Sequence, residues 1–182
     1  MVGDYLLAYF NKGEHQFLPP VEKALRGLDT PVVIYGTPQG KNGECQSGNL
    51  LFKPLHPTRF VEDLAGSKAV ISTAGNQLIG ECLHFGKPIF TLPEDCFEQK
   101  LNAYMVRCMG IGERGDYLTI TTDDLENFLV NTDSYRARTI RHRRNGRTEA
   151  TRRLHQFITD LTNPESINQP IPAKNRAKPA PV

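Results

Sequence analysis

Apolar residues fall along this chain in short runs separated by longer stretches with helical spacing. The runs at 5–10, 31–35, 50–52, Ala69–Ser72, 88–92 and 117–120 each read as a buried strand. Several are apolar on consecutive positions, as in strands covered on both faces, which points to a parallel sheet inside helical layers. Helix-like segments at 18–28, 57–64, Asn76–Phe85, 97–109 and 123–129 alternate with them. Short connections then imply right-handed crossovers and a Rossmann-like, doubly wound parallel α/β sheet. Residues 136–161 are helical in composition, with Gly146 as the expected break and Ile140, Leu154, Phe157, Ile158 and Leu161 as an apolar stripe. From Asn163 onward, five prolines in 20 residues and little to bury predict a disordered tail. The expected organisation is one domain over 1–162, carrying a basic helical segment at 136–162, and a basic Pro-rich tail at 163–182.

Composition changes this picture little; charge changes it more. A hydrophobic share of 38% with 15 glycines in 182 residues is globular and excludes a collagen-like or disordered chain. The net charge of +2 hides a segregation: 1–135 holds 11 Lys/Arg against 17 Asp/Glu, whereas 136–162 holds 8 Arg against 2 acids. No window is apolar enough to span a bilayer, and the N-terminus lacks the basic start and cleavage site of a signal peptide. Cys45, Cys82, Cys96 and Cys108 form no CxxC pair, and three of the four are expected as buried free thiols. The expected compartment is therefore cytoplasmic.

Two glycine-bearing stretches are candidates for phosphate chemistry. Gly110, Gly112 and Gly115 match a dinucleotide fingerprint by letters, but a helix precedes them and a strand is expected after. They read as a helix cap and a turn into that strand. The junction after Ala69–Ser72 has the productive order, with Thr73, Ala74, Gly75, Asn76 and Gln77 leading from strand to helix. A helix N-terminus there offers free N–H groups and partial positive charge to a phosphate. Gly75 lets backbone approach the anion, and Asn76 or Thr73 can cap. Glu81, six residues after Gly75, can accept hydrogen bonds from vicinal hydroxyls. After Gly86-Lys87-Pro88, the side chains of Glu94, Asp95, Glu98, Gln99 and Asn102 supply the carboxylates and amides that a polyhydroxylated sugar requires.

Residues 71–113 (ISTAGNQLIGECLHFGKPIFTLPEDCFEQKLNAYMVRCMGIGE) resemble the donor-binding region of GT-B nucleotide-sugar glycosyltransferases. The likeness is to the peptidoglycan N-acetylglucosaminyltransferase and UDP-glucuronosyltransferase-like group. It rests on Gly75, Glu81, Gly86, Lys87, Pro88, Glu98, Gln99, Asn102 and Ala103. The resemblance implies one half of a GT-B architecture. Backbone at 74–77, with Thr73 or Asn76, would bind the diphosphate of a UDP-linked donor. Glu81 would hold the ribose, and Glu98 and Gln99 would contact the transferred sugar. The base would lie against backbone near Phe52, Lys53, Pro54 and Leu55, and the 11–15 loop would add a phosphate contact. Many relatives carry His or Ser where this chain has Ala74. No metal or other cofactor is expected.

A GT-B enzyme has a second, N-terminal acceptor domain that usually carries the catalytic base. None of the five histidines here is assignable to that role, His15 being the one placed in a cleft-facing loop. The expected partners are a nucleotide-sugar donor, the acceptor domain or a separate partner subunit, and an anionic membrane surface, with peripheral attachment there. Two other readings stay open: a noncatalytic sugar-nucleotide-binding or interaction domain, and part of a UDP-sugar epimerase of this fold. Nucleic acid is disfavoured, because only His142 and Phe157 accompany the arginines with rings for stacking.

Overall fold

The computed structural model describes residues 3–143 and 145–162; the tail expected to be disordered, 163–182, lies outside them. The chain divides into two units, Met1–Arg144 and Asn145–Val182. Among the described residues the first unit holds one sheet of seven strands: β1 (Leu6–Tyr9), β2 (Val32–Tyr35), β3 (Cys45–Ser47), β4 (Leu50–Lys53), β5 (Ala69–Ser72), β6 (Ile89–Thr91) and β7 (Gly112–Arg114). Their spatial order is β3-β4-β2-β1-β5-β6-β7, and every pairing is parallel except β3 with β4. The helices are α1 (Pro19–Arg26), α2 (Pro57–Gly66), α3 (Asn76–Phe85), α4 (Phe97–Cys108), α5 (Thr122–Val130) and α6 (Thr132–His142).

The consecutive apolar residues of each strand are divided between the sheet's two faces. Leu6, Ala8, Ile34, Phe52 and Ile71 pack with Val21 and Leu25 of α1 and with Leu125 and Phe128 of α5. Leu7, Val33, Val70 and Ile89 pack on the other side with Leu64 of α2, Leu78 and Cys82 of α3, and Val106 of α4. Burying each such side chain contributes roughly 1.5–3 kcal/mol. The central strands β1, β2 and β5 are therefore dry on both faces, and the loops and strand ends are left to carry function. Strand order reverses between β1 and β5, where connections diverge to opposite faces and leave a crevice beyond the carboxyl ends.

Four sequence expectations are corrected. Residues 117–120 form a turn, not a strand; Tyr117 and Ile120 are apolar because they close the core from a loop. The last strand is instead Gly112–Arg114, inside the glycine-rich stretch read as cap and turn. A side chain at Gly112 would collide with the Ile89 carbonyl of β6, and Gly110 sits at φ +63 just after α4, so packing and turn geometry account for these glycines. Only Cys82 is buried; Cys45, Cys96 and Cys108 are exposed, and all four are free. The apolar stripe is also not continuous, since Ile140 belongs to α6 and lies beside Gly86.

The second unit contains α7 (Gly146–Thr162), which begins at the expected break. Leu154, Phe157, Ile158 and Leu161 share one helical face there, at the spacing of an amphipathic helix, and all four are exposed.

Candidate functional site

A cleft of about 380 Å³ opens at the reversal point. Tyr9 at the end of β1 and Asn11 after it line the cleft with Ser72 at the end of β5 and Thr73 after it. One wall is apolar: Leu55 ahead of α2, then Pro57, Phe60 and Val61. The opposite wall is α3, which presents Gly75, Gln77, Leu78 and Glu81. The apolar wall is braced from behind. Phe60 stands edge-on to Tyr9 and Tyr35, with ring centroids 5.3 and 5.2 Å apart. Asp63 of the same helix accepts from the Tyr35 hydroxyl at 2.7 Å and pairs with Lys53 at 2.8 Å.

The polar wall starts at a strained turn. Ala74 is fully buried and has φ +65, a left-handed conformation costing an L-residue about 1–2 kcal/mol. Its carbonyl accepts from the Asn102 side-chain amide at 3.0 Å, which ties the turn to α4 across 28 positions. The turn delivers the chain to Gly75, the N-cap of α3, where no side chain caps the helix. The expectation that Asn76 or Thr73 would cap is thereby corrected: Asn76 is already the first helical residue and is exposed, and Thr73 is buried. The first-turn N–H groups have no partner within the helix, and they lie at the mouth of the cleft. Gly75 itself has φ −63, which any residue adopts, and a Cβ there would meet nothing within 4 Å. Neither turn geometry nor packing within the chain calls for glycine at this position, and the space beside the helix start is open.

Glu81 is half-buried on the same wall, and its Oε1 accepts from Gln77 Nε2 at 3.0 Å. Burial pushes the Tyr9 phenol up, and the Glu81 charge adds to that shift. Thr73, Gly75, Gln77, Glu81 and Leu55 thus share one cleft, whereas Ala74 and Asn76 are not among the residues that line it.

The remaining candidates lie elsewhere. Phe52 is buried in the core, and its backbone runs between β2 and β3 in register with Ile34 and Cys45. Lys53 is engaged by Asp63, Pro54 is half-buried, and Leu55 alone of this group lines the cleft. Glu98 is exposed in the first turn of α4. Gln99 accepts from the Glu94 N–H at 2.8 Å and donates to its carboxylate at 3.1 Å. Lys87, inside the Gly-Lys-Pro signature, is buried at the opposite end of the sheet and donates to the Ser67 carbonyl at 2.6 Å. Burial, with Arg136 adding to it, holds its ammonium below the usual lysine value. His15 and His84 are exposed, and exposed His56 caps α2 through Nδ1. Among the described residues no three His, Cys, Asp or Glu side chains are grouped as a metal ion requires. No described helix is long and apolar enough to cross a membrane.

The sequence reading missed Asn102 as the anchor of the Ala74 turn, and Tyr9 and Phe60 as cleft residues. Asn102, expected among the amides that meet a sugar, instead has its side chain engaged by the Ala74 carbonyl.

The mostly parallel sheet, with its cleft at the point where strand order reverses, is a Rossmann-like α/β module, and comparisons place it in the GT-B glycosyltransferase fold. The calicheamicin glycosyltransferase CalG4 superposes with TM-score 0.70 at 18% identity, over 88% of this chain and 43% of CalG4. MurG of Acinetobacter baumannii gives 0.66 at 17% identity, over 85% of this chain and 50% of MurG. Os79 of O. sativa, solved in complex with UDP and deoxynivalenol-3-glucoside, gives 0.57 at 15% identity, over 77% of this chain and 37% of Os79. The chain thus spans half or less of the length of these structures. No curated protein matches its sequence. Residues 2–133 match the family model described as glycosyl transferase family 1, and the chain belongs to that family.

Proposed function

We propose that this chain is the donor-binding part of a glycosyltransferase that moves a sugar from a nucleotide diphosphate sugar, UDP-linked, to an acceptor held by a second domain. That acceptor domain, on the same or a separate polypeptide, would supply the catalytic base. The observation that carries the reading is the uncapped N-terminus of α3, opening onto the cleft beside a glycine that the chain's own packing does not require. A diphosphate seated there gains the first-turn N–H groups and the helix dipole without a metal.

The other parts of a nucleotide-sugar fit around that seat. Glu81 faces the same space and would accept from ribose hydroxyls. The apolar wall at Leu55 and Pro57 would cover the base, with backbone at Pro54 and Leu55 reading its edge. Glu98 and Gln99 would meet the transferred sugar at the α4 start. When the glycosidic bond breaks, charge grows on the leaving diphosphate oxygen, and fixed N–H dipoles aimed at that charge lower the barrier.

Isothermal titration of the 182-residue chain with UDP, GDP, TDP and uridine tests this reading. UDP should bind more tightly than uridine, because the diphosphate contributes the helix contacts. Absence of binding by every nucleotide at concentrations on the order of millimolar, a free energy near −4 kcal/mol, overturns it.

A further inference from the structure

The second unit presents a surface that shares no residue with the donor cleft. Every residue of α7 is exposed, its apolar ones included. Ala150, Leu154, Phe157, Ile158 and Leu161 recur at helical spacing, which sets them in one row along the helix. Apart from Gly146, the other positions of α7 are polar or charged. A helix of this length draws most of its stability from packing such a row against something. Here Leu154, Phe157 and Leu161 instead stand 58%, 60% and 60% exposed.

Charge decides what that something is. Residues 136–162 hold 8 Arg against 2 acids, and 163–182 add 3 basic residues and 1 acid. On α7 itself, Arg153 precedes Phe157 by one turn and Arg147 precedes Leu154 by two, so both stand beside the apolar row. A long stem in that position lies along apolar surface and keeps its charged head at the polar level above it. A nucleic acid would answer the arginines and leave the row in water. An apolar protein groove would cover the row and leave the arginines unanswered. Anionic headgroups over hydrocarbon answer both at once. No described helix is long and apolar enough to cross a bilayer, so α7 would lie along the surface.

We propose that α7 is an in-plane membrane helix: the row from Leu154 to Leu161 enters the boundary between headgroups and acyl chains, and Arg147 and Arg153 pair with the phosphates of anionic lipid. The proposal is independent of the nucleotide-sugar reading, since α7 contributes no residue to the cleft.

The test is flotation of the full 182-residue chain with vesicles of phosphatidylcholine, alone or mixed with phosphatidylglycerol. The mixed vesicles should carry the chain, less so as salt is raised, and the neutral ones should bind it about ten-fold or more weakly. Leu154→Ser with Phe157→Ser should weaken binding to the mixed vesicles about thirty-fold or more. Phe157→Leu, which keeps the row apolar, should stay within about two-fold of wild type. Arg147→Gln with Arg153→Gln should cost about ten-fold and flatten the salt dependence. All these positions are exposed, and circular dichroism with thermal melting checks that each variant folds. The proposal is overturned if wild type does not float with the mixed vesicles, if neutral vesicles carry it equally well, or if the double serine variant binds like wild type. A chain that ignores vesicles but is dimeric by light scattering, and monomeric with both serines, assigns the row to a second copy and overturns the lipid assignment.

Discussion

The Ala74 turn offers the sharpest perturbation, because one side chain holds a strained backbone that aims the helix start. Asn102→Leu keeps the volume of the side chain but removes the 3.0 Å bond to the Ala74 carbonyl. Leaving that carbonyl unpaired costs about 1–3 kcal/mol. Relaxation of the left-handed Ala74 returns about 1 kcal/mol. The expected net loss is centred on about 1 kcal/mol and reaches at most about 2, a fall in Tm of about 2–4 °C at the centre of that range for a chain of this size. The relaxed turn also rotates the N–H groups of the first α3 turn, so UDP affinity should fall along with stability. Ala74→Gly separates the two effects, since glycine adopts φ +65 without strain. In that background the turn keeps its shape unaided, and adding Asn102→Leu should cost clearly less UDP affinity than it does alone. Differential scanning fluorimetry and calorimetric titration of the four proteins form a double-mutant cycle. The reasoning fails if Asn102→Leu alters neither Tm nor Kd, or if its cost is identical in the two backgrounds.

Three further outcomes follow from the same geometry. Glu81→Ala should weaken UDP binding about ten-fold or more, the worth of hydrogen bonds to a carboxylate, and should abolish any preference for a ribonucleotide over its 2′-deoxy form; an unchanged preference removes Glu81 from the ribose. Gly75→Ala should leave stability within about 1 kcal/mol, since the site is open and its φ is ordinary. It should nonetheless weaken UDP about ten-fold or more through steric conflict; retained affinity means no anion approaches there. Glu94 has its carboxyl lowered in the folded chain, above all by its 2.7 Å ion pair with Lys12, so the stability it contributes is present above about 4.5, its ordinary value, and is lost as pH falls through the folded value. Acid-limb denaturation of wild type and Glu94→Gln should therefore converge at low pH, and curves that stay parallel contradict the ion-pair account.

The sheet was legible because its strands are buried on both faces, which writes consecutive apolar residues into β1, β2 and β5. The edges were not. β7 reads Gly-Glu-Arg and β3 reads Cys-Gln-Ser, short pieces with no pattern, paired on one side only. The turn at 117–120 looked like a strand because loop residues also plug the core. In the cleft, Gly75 and Glu81 could be found from strand-to-helix order and spacing along one helix. The left-handed Ala74 could not, because alanine gives no local sign of that conformation and the restraint comes from Asn102. Lys12 and Glu94 are likewise joined only by the strand order that brings the ends of β1 and β6 near each other.

The central claim is that a nucleotide diphosphate sits on the first turn of α3. Amide chemical-shift mapping of the isotope-labelled 182-residue chain during UDP titration tests it most directly. The account predicts a saturable response whose largest shifts fall on the backbone N–H groups of Gly75, Asn76, Gln77 and Leu78, with Glu81 and Asn11 following. Saturable shifts confined to another part of the sheet, or none at concentrations on the order of millimolar, would contradict it.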